Sequence, residues 1–198
     1  MNRKNLRSLA AGVALLLAVG ALAGCGGEKK ADDSKKMVTV GIAQLVEHGA
    51  LDAANKGFVA GMASKGFKEN ENVKYDRQNA QADQSNLQNI AQRFVSNKVD
   101  LICAIATPTA QTMANATKDI PIVATAVTDY EVAKLAASNN EPKGNVTGTS
   151  DMNPIDQQLE LLLKIAPQTK NIGTVYSSSE VNSQLQVDVL KKLAGDKG

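Results

Sequence analysis

Residues 101–108 read Leu-Ile-Cys-Ala-Ile-Ala-Thr-Pro, and they give the clearest indication of the fold. Its first six residues are continuously apolar, which is typical of a strand in a parallel sheet covered on both faces. Thr107 and Pro108 then predict the start of a helix, with Thr107 as the N-cap and Pro108 at the first helical position. A buried strand that passes directly into a helix is the repeating unit of α/β folds.

The same alternation extends in both directions along the chain. Further strands are predicted at residues 37–43, 73–75, 121–127, 145–150 and 171–177. Helices are predicted over residues 51–65, 85–97, 153–165 and 179–194, with Asn153 and Pro154 repeating the cap-then-proline start. Strands that alternate with helices indicate βαβ units. The body is therefore predicted to be a Rossmann-like α/β fold with a parallel sheet.

The N-terminal 36 residues have a different character. A positively charged start precedes an uncharged run dominated by Ala, Leu and Val over residues 9–22, and Leu-Ala-Gly-Cys closes it at residues 22–25. The run is shorter than the roughly 20 residues that a spanning helix needs, and the closing order is that of a lipobox. Residues 1–24 are therefore predicted to be a lipoprotein signal peptide, Cys25 the lipidated residue, and residues 25–36 a flexible tether. The protein is expected on the extracytoplasmic face of a bacterial membrane.

Composition excludes several classes of function. The chain has 22 basic and 20 acidic residues, but the signal peptide holds three of the basic ones and no acid, which leaves 19 basic and 20 acidic residues. No basic stripe remains to bind nucleic acid. There is no Cys/His cluster, nucleotide-binding glycine motif or recognisable nucleophile-base pair, so no metal, cofactor or enzymatic activity is expected. Cys103, which is unpaired once Cys25 is lipidated, is predicted to pack as a small hydrophobe.

Polar side chains are concentrated directly after the predicted strands. In open parallel sheets, ligands bind beyond the carboxyl ends of the strands. Hydroxyls and free N–H groups at helix starts suit a carboxylate, whereas an aspartate suits an ammonium group. The pattern therefore predicts a site for a small zwitterion. The polar residues that follow the strands are Gln44, Glu47, His48, Asp52, Thr107, Thr109, Gln111, Thr128, Asp129, Ser150, Asp151, Ser177, Ser178, Ser179, Glu180 and Asn182.

Five segments carry a resemblance to a known family: residues 40–62, 79–111, 120–135, 144–167 and 175–183. Through them, residues 38–194 resemble the type 1 periplasmic substrate-binding proteins of ATP-driven (ABC) importers, and most of all the TrpX-like group associated with tryptophan and other aromatic amino acids. The resemblance implies two α/β lobes that close over a small solute and dock on a membrane permease, with ATPase subunits supplying the energy. It assigns residues 37–151 to the N-terminal lobe and residues 152–198 to the start of the second. Because such proteins are usually much longer, the chain is expected to be truncated.

The resemblance also implies which residues face the ligand. The hydroxyls are expected to hold a carboxylate, and either Asp129 or Asp151 is expected to hold the ammonium group. Structural alternatives remain open at each position: His48 as a turn residue bonded to backbone, Gln44 bonded to its own loop, and the two aspartates as turn formers. The implied ligand-binding residues are Gln44, His48, Asp52, Thr107, Thr109, Thr128, Asp129, Ser150, Asp151, Ser179, Glu180, Asn182 and Ser183.

A sugar-binding lipoprotein of the same fold is the main alternative to an amino-acid-binding one. Sugar sites usually stack the sugar ring on Trp or Phe. This chain has no Trp and three Phe, of which Phe58 and Phe94 fall on the core faces of predicted helices. The composition therefore favours an amino-acid ligand. A ligand-sensing regulator of the same fold is excluded, because it would carry a DNA-binding segment in place of the lipobox.

Overall fold

The computed structural model describes residues 37–142 and 144–197; the predicted signal peptide, the Cys25 lipidation site and the tether lie outside these residues. The strands are β1 Val38–Gln44, β2 Val73–Asn79, β3 Leu101–Ile105, β4 Ile122–Val127, β5 Ala136–Ser138, β6 Glu141–Pro142 and β7 Val146–Ser150. The helices are α1 Gly49–Ser64, α2 Gln84–Ser96, α3 Thr107–Ala116, α4 Ile155–Ile165 and α5 Val181–Asp196.

Five strands form one parallel sheet in the order β2-β1-β3-β4-β7, while β5 and β6 form a separate antiparallel pair. The predicted α/β fold with a parallel sheet is confirmed. The strand order reverses between β1 and β3, which is where ligands bind in sheets of this kind. Gln44 at the end of β1 is paired with Ile105 at the end of β3. The loops after these two residues therefore leave the sheet side by side, each toward the start of a helix.

Both faces of β3 are covered, which explains its unbroken apolar run. Successive side chains of a strand point to opposite faces. On one face, Ile102 and Ala104 join a buried cluster with residues of α2 and α3. On the other, Cys103 and Ile105 belong to a cluster against which residues of α1 pack. Cys103 is fully buried, and burial raises the pKa of its thiol to about 12, so its predicted role as a packing residue is confirmed.

Two predicted helix starts are wrong by one residue. α3 begins at Thr107, so Ala106 rather than Thr107 occupies the N-cap position. The reason is the backbone of Ala106, whose φ of 90° turns the chain so sharply that Thr107 is already helical. α4 begins at Ile155, and Pro154 rather than Asn153 is its N-cap residue, because the ψ of 75° at Pro154 lies outside the helical region.

The strand predicted at residues 171–177 is also wrong. This segment pairs with no strand in the described residues. A strand exists only where a neighbour takes up its backbone hydrogen bonds, and the local run of apolar residues cannot supply that neighbour. Val175 is fully exposed and Tyr176 partly so, which shows that the segment has no covering layer of its own.

Residues 152–197 contribute two helices to the structure. α4 and α5 pack on each other, and Leu159 and Val187 are buried. The outer side of α4 leaves Leu161 58% exposed and Ile165 76% exposed. Within residues 37–142 and 144–197, no helix combines the length and the apolar character needed to cross a membrane.

Candidate functional site

The turn between β3 and α3 combines backbone strain with unpaired polar groups. Ala106 has φ 90° and ψ 153°, a conformation that L-residues rarely adopt and that costs about 1–3 kcal/mol. The hydroxyls of Thr107 and Thr109 are buried and have no hydrogen-bond partner in the described part of the chain. An unpaired buried hydroxyl costs a further ~1–3 kcal/mol. Costs of this kind are concentrated at functional sites.

A matched hydroxyl on the same helix shows the contrast. Thr112 is nearly as buried as Thr107 and Thr109, but its hydroxyl donates to the carbonyl oxygen of Pro108 at 2.9 Å and accepts from Nε2 of Gln84 at 3.2 Å. Burial on α3 therefore does not by itself prevent pairing. The unpaired state is confined to the first turn of the helix, at the carboxyl end of β3.

The end of β1 carries a network built around Gln44. Its side-chain nitrogen donates to Oδ1 of Asp52 at 2.6 Å and to the carbonyl oxygen of Val46 at 2.8 Å. Its side-chain oxygen accepts from Nδ2 of Asn55 at 3.2 Å. Gln44 is 4% exposed, so its polar atoms are buried and engaged within the lobe. The structure thus matches the alternative in which Gln44 bonds its own loop, and it brings Asp52 directly to Gln44.

His48 lies at the start of α1 and serves as its N-cap. Nδ1 of His48 accepts a hydrogen bond from the backbone N–H of Ala50 at 3.3 Å, and the backbone oxygen of His48 accepts from Asp52 N at 2.9 Å. The side chain is exposed. This arrangement matches the alternative in which His48 is a turn residue bonded to backbone.

Asp129 is held by the turn that follows β4. Its Oδ1 accepts from the backbone N–H of Val132, and its Oδ2 accepts from Nδ2 of Asn139, both at 2.8 Å. Asn139 in turn accepts the backbone N–H of Tyr130 through Oδ1 at 2.7 Å. Each carboxylate oxygen of Asp129 therefore has a structural partner, which matches the turn-forming alternative.

Thr128 and Ser150 join the carboxyl ends of β4 and β7. The Ser150 hydroxyl donates to the carbonyl oxygen of Thr128 at 2.7 Å and accepts from Met152 N at 3.1 Å. Asp151 follows on the surface and bonds Val127 through its backbone N–H. Its carboxylate contributes to raising the pKa of the Tyr130 hydroxyl to about 12, although burial is the larger cause.

Short contacts join some of the predicted residues at the start of α5. Ser179 lies 3.2 Å from Ser177 through the two hydroxyl oxygens, and Nδ2 of Asn182 donates to Glu180 at 3.2 Å. Oδ1 of Asn182 is buried without a partner in the described residues. Ser183 lines a hollow between α4, α5 and residues 172–176. No hydrogen bond found among the described residues joins this group to the polar residues after β1, β3 or β4.

Sequence reasoning missed two residues that organise the site. Asn55 follows Asp52 by three positions on α1, so helical spacing was a signal that could have placed it beside Gln44. Tyr130 bridges two strands, because its buried hydroxyl donates to the carbonyl oxygen of Ala124 at 2.9 Å and lies 3.2 Å from that of Thr149. No local sequence signal points to that contact. Among residues 37–142 and 144–197, no group of three or more His, Cys, Asp and Glu is arranged to hold a metal ion.

The chain is similar to known proteins along nearly its whole length. It matches the family model of ABC transporter substrate binding proteins over residues 39–198. A tyrosine-binding protein from Clostridioides difficile (strain R20291) is 50% identical over 98% of this chain and 57% of the relative. The chain therefore spans little more than half of that relative.

Two solved structures give the same picture. An ABC domain from Streptococcus pneumonia in complex with L-Trp is 43% identical, with a TM-score of 0.79. A substrate binding protein with adhesive properties from Clostridium difficile, in a ligand-free, open structure, is 52% identical, with a TM-score of 0.68. In both cases the match covers 82% of this chain and 55% of the other.

Proposed function

We propose that this chain, which belongs to the family of ABC transporter substrate binding proteins, captures a small aromatic amino acid and delivers it to a membrane permease. Membership in this family makes it a binding protein and not an enzyme, as expected from its sequence. The chain spans little more than half of its relatives, so the activity of the whole protein is inferred.

The observation that carries the proposal is that the buried Thr107 and Thr109 hydroxyls, at the N-terminus of α3, have no hydrogen-bond partner among residues 37–142 and 144–197. A helix N-terminus offers free N–H groups and a partial positive charge, and both favour a carboxylate. Threonine in a helix has two accessible χ1 rotamers, so a rotation can turn each hydroxyl toward the carboxyl edge of the sheet. A ligand carboxylate would then pair the groups that the protein leaves unpaired.

Similarity supports an aromatic amino acid as the ligand class. One relative is a tyrosine-binding protein, and another was solved in complex with L-Trp. Both share at least 43% of their aligned residues with this chain. In the proposed mechanism, residues 37–151 form one lobe and residues 152–198 begin the other. Ligand contacts made by both lobes stabilise a closed form, which the permease and its ATPase partners recognise.

A ligand screen tests this function. We expect saturable thermal stabilisation by L-tyrosine or L-tryptophan, both in this chain and in a full-length relative. A ligand at 100 times its Kd stabilises the folded state by about 2.7 kcal/mol, which a melting scan detects easily. Ribose and myo-inositol serve as sugar controls. Stabilisation by a sugar, with none by any amino acid, would contradict the proposal.

The proposed location is the outer face of the membrane, with Cys25 as a lipid anchor. The lipobox at residues 22–25 supports this reading. Expressed in bacteria fed with an alkyne fatty acid, the chain is expected to incorporate the label and to remain in the membrane fraction. The Cys25→Ala variant should do neither. The Cys103→Ala variant keeps Cys25 and loses only a buried thiol, so it should be labelled normally. Equal labelling of Cys25→Ala and the unmodified chain would exclude the anchor.

A further inference from the structure

A groove runs between the first turns of α1 and the end of β2, next to the end of β1. Its volume is about 440 Å³, within the ~300–1,000 Å³ typical of small-molecule sites. Charges of both signs line it: Glu47 and Asp52 on one hand, Lys56 and Arg77 on the other. Arg77 is engaged by Glu69 through two hydrogen bonds of 2.6 and 2.9 Å, so its charge is already compensated.

In this groove, the carboxylate of Asp52 is held in place through one oxygen, while its other oxygen can still accept a hydrogen bond. Its Oδ1 accepts the 2.6 Å hydrogen bond from Gln44, whereas no hydrogen bond or ion pair to its Oδ2 occurs in the described residues. The residue is half-buried on the first turns of α1. A fixed carboxylate with a free oxygen is suited to accept a charge-assisted hydrogen bond from an ammonium group.

The other two aspartates are less suited to this role. Both oxygens of Asp129 already accept bonds, from Val132 N and Asn139 Nδ2, and these bonds hold the turn after β4. Asp151 is exposed, and solvent weakens ion pairs at exposed positions to ~0–1 kcal/mol. The expectation that Asp129 or Asp151 holds the ammonium group therefore has weaker support than the assignment of this group to Asp52.

Gln44 sets the direction of the Asp52 carboxylate. Asn55 and Val46 fix the Gln44 amide from two sides, and the amide in turn holds Oδ1 of Asp52. Gln44 is also paired in the sheet with Ile105, two residues before Thr107. Adjacent strands are about 4.8 Å apart, so the turns that lead to α1 and α3 leave the sheet next to each other, although the groove itself is lined by α1, β1 and β2 and the residues between them. An α-amino acid carries its carboxylate and its ammonium group on one carbon, which fits two such neighbouring helix starts.

We propose that Asp52 receives the ammonium group of the ligand and that Gln44 is the positioning residue that aims it. This inference rests on the proposed function, because it assumes an amino-acid ligand. It differs from that function in naming the group that distinguishes an amino acid from the corresponding carboxylic acid.

The test compares ligands with and without the amino group. Calorimetry on the full chain would measure affinities for L-tyrosine and 3-(4-hydroxyphenyl)propionate, and for L-tryptophan and indole-3-propionate. In Asp52→Asn, the preference for the amino acid is expected to fall by about 10- to 100-fold, the value of a hydrogen bond to a charged group. The affinity for the analogue that lacks the amino group should stay unchanged.

Two further variants distinguish an effect on the orientation of the Asp52 carboxylate from an effect on folding. Asp129→Asn should lower the melting temperature but keep the preference for the amino acid. Gln44→Met should keep the length of the side chain and remove the donor to Asp52 without adding a charge, and so lose the preference with little change for the propionates. A merely structural role of Gln44 would weaken both ligands equally.

The outcomes distinguish the two proposals. If no aromatic amino acid binds the unmodified chain, the proposed function fails and this inference fails with it. If the amino acid binds but folded Asp52→Asn keeps the full preference, or if Asp151→Asn removes it, the inference alone is overturned. Should Asp52→Asn not fold, a retained preference in folded Gln44→Met would have the same meaning.

Discussion

Gly148→Ala is expected to destabilise the protein by about 3–5 kcal/mol. Gly148 lies in β7 opposite Ala124 of β4. A Cβ at this position would lie 2.0 Å from the carbonyl oxygen of Ala124 and 2.2 Å from the Tyr130 hydroxyl. Neither neighbour is the free end of a flexible chain, because one is backbone and the other is held by its hydrogen bond. The strands must therefore separate or the buried hydrogen bond must break.

The expected loss is a large part of the total stability of a domain, which is typically about 5–15 kcal/mol. Urea unfolding followed by far-ultraviolet circular dichroism would measure it. Gly173→Ala is the matched control, since a Cβ there meets no atom within 4 Å, and its midpoint should stay within the ~0.5 kcal/mol typical of surface changes. Identical midpoints for Gly148→Ala and Gly173→Ala would contradict the close packing of β4 against β7.

A double variant apportions the two clashes. Tyr130→Phe removes the hydroxyl that blocks the new methyl group, but the carbonyl oxygen of Ala124 stays in place. Adding Tyr130→Phe to Gly148→Ala should therefore cost less than the sum of the two single changes, without restoring the original stability. Strict additivity would mean that the hydroxyl does not meet the methyl group.

The features predicted correctly from the sequence depend on short-range patterns. The unbroken apolar run of Leu101–Ile105 indicates burial on both faces, and the alternation of strands with helices indicates a parallel sheet. These signals are periodic and local, so they can be recognised without knowing which segments pack against each other. The strand predicted at residues 171–177 has the same local signal, yet it needs a partner strand to exist.

The roles of individual polar residues depended on contacts distant in sequence. Gln44 and Asn55 are 11 positions apart, and Asp129 and Asn139 are 10 apart. Only the fold determines whether such pairs meet. For this reason the sequence could place several polar residues after the strands, but it favoured Asp129 or Asp151 over Asp52 for the ammonium group. The hydrogen bonds separate the structural Asp129 from the incompletely used Asp52.

The N-cap assignment at Thr107 failed for a reason that bears on function. Threonine is a good N-cap because its hydroxyl pairs a free N–H group of the first turn. Here Ala106 takes the cap position, and the Thr107 hydroxyl has no partner within the part of the chain that the structure describes. A sequence rule that maximises pairing cannot anticipate a site where the protein leaves groups unpaired.

Replacing Thr107 and Thr109 by valine should therefore change stability and binding in opposite directions. Valine has nearly the same shape but no hydroxyl, so each change removes an unpaired buried group. Such a change is neutral or stabilising, by up to about 1 kcal/mol per site. Each lost hydrogen bond to a ligand carboxylate should weaken binding by about 10- to 100-fold, and the double variant by more than either single one. Melting scans and calorimetry with L-tyrosine and L-tryptophan measure the two effects.

Thr112→Val is the control for the direction of the changes in stability and in ligand affinity. Its hydroxyl is buried on the same helix but paired with Pro108 and Gln84, so the change leaves two partners unsatisfied. It should lower stability by ~1–3 kcal/mol and leave ligand affinity unchanged. If the Thr107 and Thr109 variants instead behave like Thr112→Val, losing stability and keeping affinity, the two hydroxyls are structural. The first turn of α3 would then have no role in holding a carboxylate, because its polar groups would already be serving the fold.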